Sequence, residues 1–122
     1  VRGRTKVYHL HTGAILALAW SPNNTMLATG GEDNTAVVLD VISGHRLHTL
    51  SHGGVVNGLA WEPAGTNRLA SACADSTVNV WDMNSSAPAI YHGHTGTVTS
   101  VAWGVRGLAS GSVDKTIIVW NV

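Results

Sequence analysis

The chain has 122 residues, which is enough for one compact domain but short for two independent cores. Hydrophobic residues make up 44% of it and charged residues only 11%, which excludes the polar composition of a disordered chain. Seven Lys and Arg residues balance seven Asp and Glu residues, and no basic stripe is present to neutralise phosphates, so we expect binding neither to nucleic acid nor to an anionic membrane.

The single cysteine, Cys73, cannot form a disulfide within the chain, and no second cysteine stands at a spacing typical of a metal-binding knuckle. This usage is compatible with a reducing compartment, and we expect a cytoplasmic or nuclear location. The charged start, VRGRTKVY, is not followed by an apolar core of signal-peptide length, and the sequence contains no apolar run of 18 residues. It therefore predicts neither a secretion signal nor a membrane span.

The first predicted element is a short strand, TKVYHL, at residues 5–10. Three units of similar sequence follow it. In the first unit, a strand over residues 15–20 ends at the SPNN turn, and LATG forms a second strand. A turn that carries Asp33 leads into the third strand, AVVL, and the more polar HRLHTL forms the fourth.

The second and third units repeat this order. LASA and LASG form their second strands, VNVW and IIVW their third, and APAIYH forms a fourth strand in the second unit. The tryptophan that ends each first strand recurs after 41 and then 42 residues, and the histidine before that strand keeps the same intervals. These residues are Trp20, Trp61 and Trp103, and His11, His52 and His94. A unit of about 40 residues is typical of the blades of a β-propeller.

The third strands are apolar on both faces. In the last unit, Ile117 and Val119 point to one face, whereas Ile118 and Trp120 point to the other. A sheet with one face in water would alternate with polar residues, so these sheets are expected to be covered on both sides, as in radially stacked blades. The predicted strands are four to seven residues long, and no segment has a sustained helical period.

A histidine is followed by a strand, by SPNN or EPAG, by LASA, by an Asp turn and by a terminal Trp-Asp pair, as in SACADSTVNVWD. This order of features resembles the WD40 repeat family. The resemblance covers nearly the whole chain in three copies. It implies an all-β fold of four-stranded antiparallel propeller blades, three per chain, which form half of a six-bladed ring or part of a larger propeller. It divides the single domain, residues 1–122, into an outer closing strand at 1–10, blades at 11–50 and 51–91, and a third blade at 92–122 that lacks its outer strand.

In the WD40 family, four side chains in each blade form a structural hydrogen-bonded tetrad. The resemblance places complete tetrads at His52, Ser71, Asp75 and Trp81 and at His94, Ser110, Asp114 and Trp120, and a partial one at His11, Thr29 and Asp33. Leu39 stands where the first blade would have a tryptophan, so this blade loses an indole N–H donor and is expected to be the least rigid. Asp75 is expected to link His52 to the tight turn, and Trp81 to fill the gap between blades.

Three blades are too few to close a ring within one chain, because propellers have four to eight. Two apolar sheet faces and one strand edge would stay uncovered. We expect a homodimer of six blades, in which the strand at residues 5–10 joins the last blade of the partner, or else flanking repeats of a longer chain.

Serine, histidine and aspartate recur together, but no G-x-S-x-G elbow is present, and we expect the serines to be buried members of the tetrads. Two pairs of histidines, His9 with His11 and His92 with His94, have a spacing that could bring them to one face of a strand. They have no cysteine or acidic companion at ligand spacing, so no metal and no cofactor is expected. The chain is therefore not predicted to be an enzyme.

What remains is binding of a peptide or protein partner by the loops of a rigid scaffold. The resemblance implies a binding rim on the narrow face of the propeller, at the residue before each turn aspartate and at two residues of each first strand. These are Ala14, Leu16 and Glu32, then Val55, Asn57 and Ala74, and then Thr97, Thr99 and Val113. The rim is small, neutral and partly apolar, and Glu32 could receive one basic side chain. Two alternatives stay open, a purely structural or oligomerisation module and an enzyme with a site on the propeller axis.

Overall fold

The structure, a computed structural model, describes residues 5–85 and 87–122. All regular secondary structure in these residues is β-strand, as predicted, and they contain no helix long and apolar enough to cross a membrane. The eleven strands are β1 (Ile15–Trp20), β2 (Met26–Gly31), β3 (Thr35–Asp40), β4 (Arg46–Ser51), β5 (Val56–Trp61), β6 (Arg68–Cys73), β7 (Thr77–Asp82), β8 (Ala89–His92), β9 (Val98–Gly104), β10 (Gly107–Ser112) and β11 (Ile117–Trp120).

The strands form three antiparallel meanders. Sheet 1 consists of β1 to β4 and sheet 2 of β5 to β8, each in chain order, and sheet 3 consists of β9 to β11. The tight turn between the second and third strand of each sheet places one residue in the left-handed region, with φ of 65° at Asn34, 75° at Ser76 and 72° at Lys115. The aspartate directly before this residue accepts a hydrogen bond from the backbone N–H of the threonine two residues after the aspartate, and this bond fixes the turn.

The three sheets stack face to face, with sheet 2 in the middle. Between sheets 1 and 2, a core of Ala28, Ala36 and Val38 packs against Trp61 and Trp81. Between sheets 2 and 3, Ala70, Val78 and Val80 pack against Leu108, with Trp103 and Trp120 alongside. The first strands β1, β5 and β9 are neighbours across the stack. The small residues of one face and the aromatic residues of the next therefore interlock, which is the blade packing that the sequence predicts.

The two outer faces of the stack are open. Leu18 and Trp20 point out of sheet 1 with 64% and 56% of their surface exposed, although both are apolar. On the opposite side, Ile117 and Val119 of sheet 3 are exposed by 78% and 74%. The sequence predicts two such uncovered faces for a stack of three blades.

Sheet 3 has three strands, whereas sheets 1 and 2 have four, so the outer edge of β11 carries no strand within the described part of the chain. Residues 5–10, for which the sequence predicts an outer strand, are not assigned to a sheet here. Their last residue, Leu10, lies with its carbonyl oxygen 3.5 Å from the Arg46 guanidinium of β4. Pairing of residues 5–10 with a further sheet stays a prediction. Residues 1–4 of the predicted closing strand at 1–10 lie outside the described residues.

Candidate functional site

The side chains that recur in every repeat meet at one end of each sheet. In sheet 3, Trp120 Nε1 donates to Ser110 Oγ at 2.8 Å, and Ser110 Oγ lies 2.7 Å from His94 Nε2. His94 Nδ1 in turn lies 3.0 Å from Asp114 Oδ2. An indole N–H only donates and a carboxylate only accepts, so the hydrogens run from Trp120 through Ser110 and His94 to Asp114, and the imidazole carries its proton on Nδ1.

Sheet 1 keeps this network without the indole. Thr29 Oγ1 lies 2.7 Å from His11 Nε2, and His11 Nδ1 lies 3.0 Å from Asp33 Oδ2. Leu39 takes the position of the missing tryptophan and is 1% exposed. The loss of the indole therefore removes a donor but leaves the threonine, histidine and aspartate bonded to one another.

Sheet 2 departs from both neighbours. Trp81 Nε1 donates to Ser71 Oγ at 3.1 Å, and Ser71 Oγ lies 2.7 Å from His52 Nε2, as in sheet 3. His52 Nδ1, however, donates to the backbone oxygen of Leu50 at 3.0 Å. Asp75 instead accepts hydrogen bonds from the backbone N–H and the hydroxyl of Thr77. The link from His52 to Asp75 that the resemblance implies is thus replaced by a bond to the backbone.

Sheet 2 also differs in the residue after the histidine. In sheets 1 and 3 this residue is threonine, and the backbone N–H of Thr12 and of Thr95 donates to the turn aspartate at 3.0 Å. Sheet 2 has Gly53 there, and a Cβ on this glycine would lie 2.5 Å from Asp75 Oδ2. The carboxylate of Asp75 therefore occupies space that a side chain at position 53 would take.

These contacts set the charge states of the turn aspartates. Partial burial opposes the charge on Asp33, but hydrogen bonds from His11, Thr12 and Thr35 outweigh it and hold the pKa of Asp33 far below its ordinary value. For Asp114, hydrogen bonds led by the Thr116 hydroxyl lower the pKa in the same direction. Burial also opposes the charge on Asp75, yet bonds from Thr77 and the adjacent Cys73 thiol leave its pKa below the usual range. All three carboxylates are therefore charged at neutral pH.

Burial acts in the opposite sense on two other groups of sheet 2. It lowers the pKa of His52, against the smaller effects of the Leu50 carbonyl and of Asp75, because the imidazole loses water when it packs 5.1 Å from the Trp81 ring. It raises the pKa of Cys73 to about 11, so this buried thiol stays protonated.

The serines of the recurring set are inaccessible to a substrate. Ser71 is fully buried and Ser110 is 3% exposed, and both hydroxyls are shared between a histidine and a tryptophan. His11 and His94 use both ring nitrogens within their own sheets. The described residues contain no group of three His, Cys, Asp or Glu side chains placed to hold a metal ion. The contacts of the serines and histidines are thus structural ones.

The residues predicted for the binding rim lie at the same end of the sheets, and one backbone bond recurs among them. The N–H of Glu32 donates to the Ala14 oxygen at 2.9 Å. The equivalent bonds, from Ala74 to Val55 and from Val113 to Thr97, measure 2.8 Å and 3.0 Å. In each sheet, the residue before the turn aspartate is thereby joined to the residue that precedes the first strand.

Several rim side chains are occupied within the chain. Asn57 Nδ2 donates to the Val98 oxygen at 3.2 Å, and Thr97 Oγ1 donates to the Ala74 oxygen at 3.4 Å, so both bonds connect sheet 2 with sheet 3. Thr99 Oγ1 donates to the Gly111 oxygen at 3.3 Å. The carboxylate of Glu32 accepts the Ala14 N–H at 3.3 Å. Leu16 and Val113, by contrast, are 47% and 61% exposed.

One set of site residues was missed by sequence reasoning, the threonine two positions after each turn aspartate. The hydroxyl of Thr116 bonds Asp114 Oδ1 at 2.6 Å and lies 3.1 Å from His94 Nδ1, and Thr35 makes the same two contacts in sheet 1. Thr77 donates to Asp75 in the same way, but its hydroxyl accepts from Asn79 Nδ2 at 3.0 Å instead of lying beside the histidine. The signal was present, since threonine stands at this position in all three repeats.

Comparison with known proteins agrees with the repeat pattern. The family model described as "WD domain, G-beta repeat" matches residues 3–40, 44–82 and 86–121. The chain is 36% identical to the anaphase-promoting complex subunit cdc20 of Dictyostelium discoideum over 91% of its own length and 24% of that protein. It is 33% identical to the small ribosomal subunit protein RACK1y of Oryza sativa subsp. japonica over 92% of its length and 36% of that protein.

Solved structures show the same arrangement of strands. The structure of U3-55K and the crystal structure of the RRP9 WD40 repeats each superpose on 96% of this chain with a TM-score of 0.87 and 25% sequence identity. This chain spans 38% of each of those chains. It therefore corresponds to roughly a quarter to two fifths of the length of the proteins cited here.

Proposed function

Because the chain belongs to the WD40 repeat family, we propose that it is a non-catalytic interaction module that binds a peptide or protein partner on its narrow face. The binding surface is the rim defined above, formed by the residue before each turn aspartate and by the beginnings of β1, β5 and β9. The alternative of an enzyme with a site on the axis has no support in the contacts of the recurring serines and histidines, which are all internal.

The recurring backbone bond of the rim is the observation that carries this proposal. It holds three pairs of residues in equivalent positions, one pair in each sheet. The Asn57 and Thr97 side chains then tie the rim of sheet 2 to that of sheet 3. A surface fixed in this way loses little conformational entropy when a ligand binds, which favours recognition of an extended peptide or a protein loop.

The chemistry of the rim favours a mainly apolar ligand. Val113 and Leu16 offer exposed aliphatic side chains, whereas Asn57 Nδ2 and the hydroxyls of Thr97 and Thr99 already donate to the backbone. Glu32 carries the one negative charge among the nine predicted rim residues. No cluster of Lys or Arg residues is present among these nine, so phosphate is a poor ligand.

A selection of peptides from a random 12-residue library tests the proposal. We expect the full chain to select apolar peptides and the variant Val113→Asp to bind them at least about tenfold more weakly, because a charge would lose its water in the complex. The matched control is Val105→Asp, since Val105 is 95% exposed in the turn between β9 and β10, at the other end of sheet 3. Equal loss of binding in both variants, or none in Val113→Asp, would rule out the rim as the binding surface.

We further propose that sheets of the same repeat type cover the two open faces, supplied by a second copy of the chain or by flanking repeats. The exposed apolar side chains of sheets 1 and 3 support this, because a monomer rarely leaves such faces in water. They also favour the alternative function, a purely structural or oligomerisation module. The two functions differ in one result, since a structural module would select no peptide at the rim.

A further inference from the structure

The three turn aspartates differ in how many partners they have. The side chains of Asp33 and Asp114 are 12% and 9% exposed, and each accepts bonds from an imidazole, from the backbone N–H after that histidine and from a threonine. Asp75 is exposed, and among the described residues its hydrogen bonds come from Thr77, to Oδ1, and from the Cys73 thiol. Its second oxygen, Oδ2, receives neither of the bonds that Oδ2 receives in the other sheets.

Two changes in sheet 2 produce this difference. His52 has turned its Nδ1–H to the Leu50 carbonyl, and Gly53 does not donate to the carboxylate as Thr12 and Thr95 do. Because Gly53 has no side chain, the Asp75 carboxylate can lie against it, as shown by the 2.5 Å that would separate Oδ2 from a Cβ there. The Cys73 thiol is the remaining neighbour, and it is a weak and protonated donor.

The open carboxylate lies on the proposed binding surface. Asp75 directly follows the rim residue Ala74, whose N–H is bonded to the rim residue Val55. The neighbouring rim side chains of sheets 2 and 3 are aliphatic or are bonded to the backbone. An anionic group at the border of a neutral, apolar surface is suited to a ligand that places one positive charge beside apolar side chains.

We propose that Asp75 is a binding residue that receives a lysine or arginine side chain of the peptide bound at the rim. Asp33 and Asp114 cannot take this role, because their carboxylates are already shared within their own sheets. The proposal rests on the rim function above and assigns the ligand a charge and a place. An exposed ion pair contributes up to about 1 kcal/mol to the free energy of binding, which changes the affinity by up to about fivefold. The ion pair would therefore select among peptides more than it would strengthen binding.

The test compares peptides selected from a random 12-residue library by the full chain and by three variants. Asp75→Asn removes the charge and keeps the size of the side chain. Gly53→Thr keeps the charge but introduces the residue of the other two sheets, whose Cβ would displace the carboxylate from its present position. Asp82→Asn is the matched control, because Asp82 is exposed at the other end of β7.

We expect lysine or arginine to be enriched at one peptide position with the wild-type chain and with Asp82→Asn. This enrichment is expected to disappear with Asp75→Asn and with Gly53→Thr, and the basic peptides are expected to bind both variants roughly three- to fivefold more weakly. Gly53→Thr tests whether the carboxylate must be accessible, because this variant keeps the negative charge. Circular dichroism checks that each variant is folded.

Two outcomes overturn the assignment of Asp75 while the rim function stands. One is a set of rim-binding peptides without a basic position, and the other is a basic position that Asp75→Asn retains. Selection of no peptide by any form of the chain overturns both the assignment and the rim function.

Discussion

Gly53 follows the tetrad histidine of sheet 2, where Thr12 and Thr95 follow the histidines of sheets 1 and 3. With threonine, the backbone N–H after the histidine and the imidazole both bond the turn aspartate. With glycine, the imidazole bonds the Leu50 carbonyl, and no hydrogen bond among the described residues joins His52 to Asp75. Sheet 2 therefore lacks the hydrogen bond between imidazole and carboxylate that sheets 1 and 3 have.

The burial of His52 predicts that its imidazole contributes to the pH dependence of the free energy of unfolding. Burial lowers the pKa of His52 in the folded chain below the ordinary histidine value of 6.5, so in this range the unfolded chain binds more protons. The stabilising contribution of the neutral imidazole is present above pH 6.5, and it is lost as the pH falls from 6.5 towards the lower folded pKa. We expect the free energy of unfolding, measured in urea between pH 7.5 and 5, to fall less steeply in His52→Gln than in the wild type.

The control for this measurement is His45→Gln, which removes an exposed imidazole from the loop before β4. A wild-type slope in His52→Gln, with the reduced slope appearing in His45→Gln, would contradict the assignment to the buried ring.

The resemblance to the WD40 repeat family implied the residues of the tetrads; histidine, serine or threonine, and aspartate recur in all three repeats, and the tryptophan recurs in two. The direction of the His52 ring could not be predicted. The sequence shows that Gly53 replaces a threonine after the histidine. It carries no sign that the carbonyl of Leu50, two residues before the histidine, is the substitute partner, because the choice between two acceptors depends on the rotamer of the side chain.

At the scale of elements, the tryptophan that ends β5 bonds the first strand of the preceding sheet, and the equivalent tryptophan of β9 makes a different contact. Trp61 at the end of β5 is 7% exposed, and its Nε1 donates to the Ala19 oxygen of β1 at 3.0 Å. Trp103 has the same place in β9, where the Arg68 guanidinium lies 5.3 Å from its ring centre. Arg68 is held there by a two-pronged ion pair with Glu62, with N to O distances of 3.0 Å and 2.7 Å.

Trp61→Phe should therefore destabilise the chain by about 1 to 3 kcal/mol, because the Ala19 carbonyl loses its donor and a void replaces part of the indole. The measurement is the free energy of unfolding in urea. Trp103→Phe serves as the control, since its Nε1 makes no hydrogen bond within the described residues, and we expect a smaller loss there. An equal loss in both variants would show that ring volume, and not the bond to β1, determines the effect.

The order of strands was predictable because each carries its own turn signals, such as SPNN and the Asp-x-Thr turn. The register of strand pairing was less predictable from the sequence. Bulges interrupt the pairing between Ile15 and Ala17, between Val56 and Gly58, and between Gly111 and Ser112, all at the rim end of the first hairpin. A bulge depends on local backbone bonds that alternation of polar and apolar residues does not record.

At the scale of the whole molecule, the two open faces are complementary by the rules of the two closed junctions. Val56 of sheet 2 lies on Gly30 of sheet 1, and Val98 of sheet 3 packs in one cluster with Ala72 of sheet 2. By the same rule, exposed Ile15 would lie on Gly111, which lines a groove of about 210 Å³ on the open face of sheet 3. Trp20 would then lie against Ala102, the residue of β9 equivalent to Ala19 of β1, whose oxygen accepts from Trp61 at the junction of sheets 1 and 2.

A second copy of the chain satisfies this rule twice, because the sheet 1 face of each copy can pack on the sheet 3 face of the other. The product is a ring of six sheets, within the four to eight found in propellers, and residues 5–10 could complete sheet 3 of the partner. We expect light scattering at micromolar concentration to give twice the mass of one chain, and Trp20→Arg or Ala102→Arg to reduce it to the mass of one.

The control is Val105→Arg, which places the same charge on an exposed turn away from both faces and should leave the double mass unchanged. A wild-type chain that stays single and folded at this concentration would rule out the second copy as the covering partner. Flanking repeats would then have to supply it, and appending one more repeat after residue 122 should lower the exposure of Ile117 and Val119, as measured by hydrogen exchange of β11. If neither a double mass nor a lower exposure of β11 is found, the packing of the two closed junctions does not extend to the open faces. Their apolar side chains would then bind a partner of another kind.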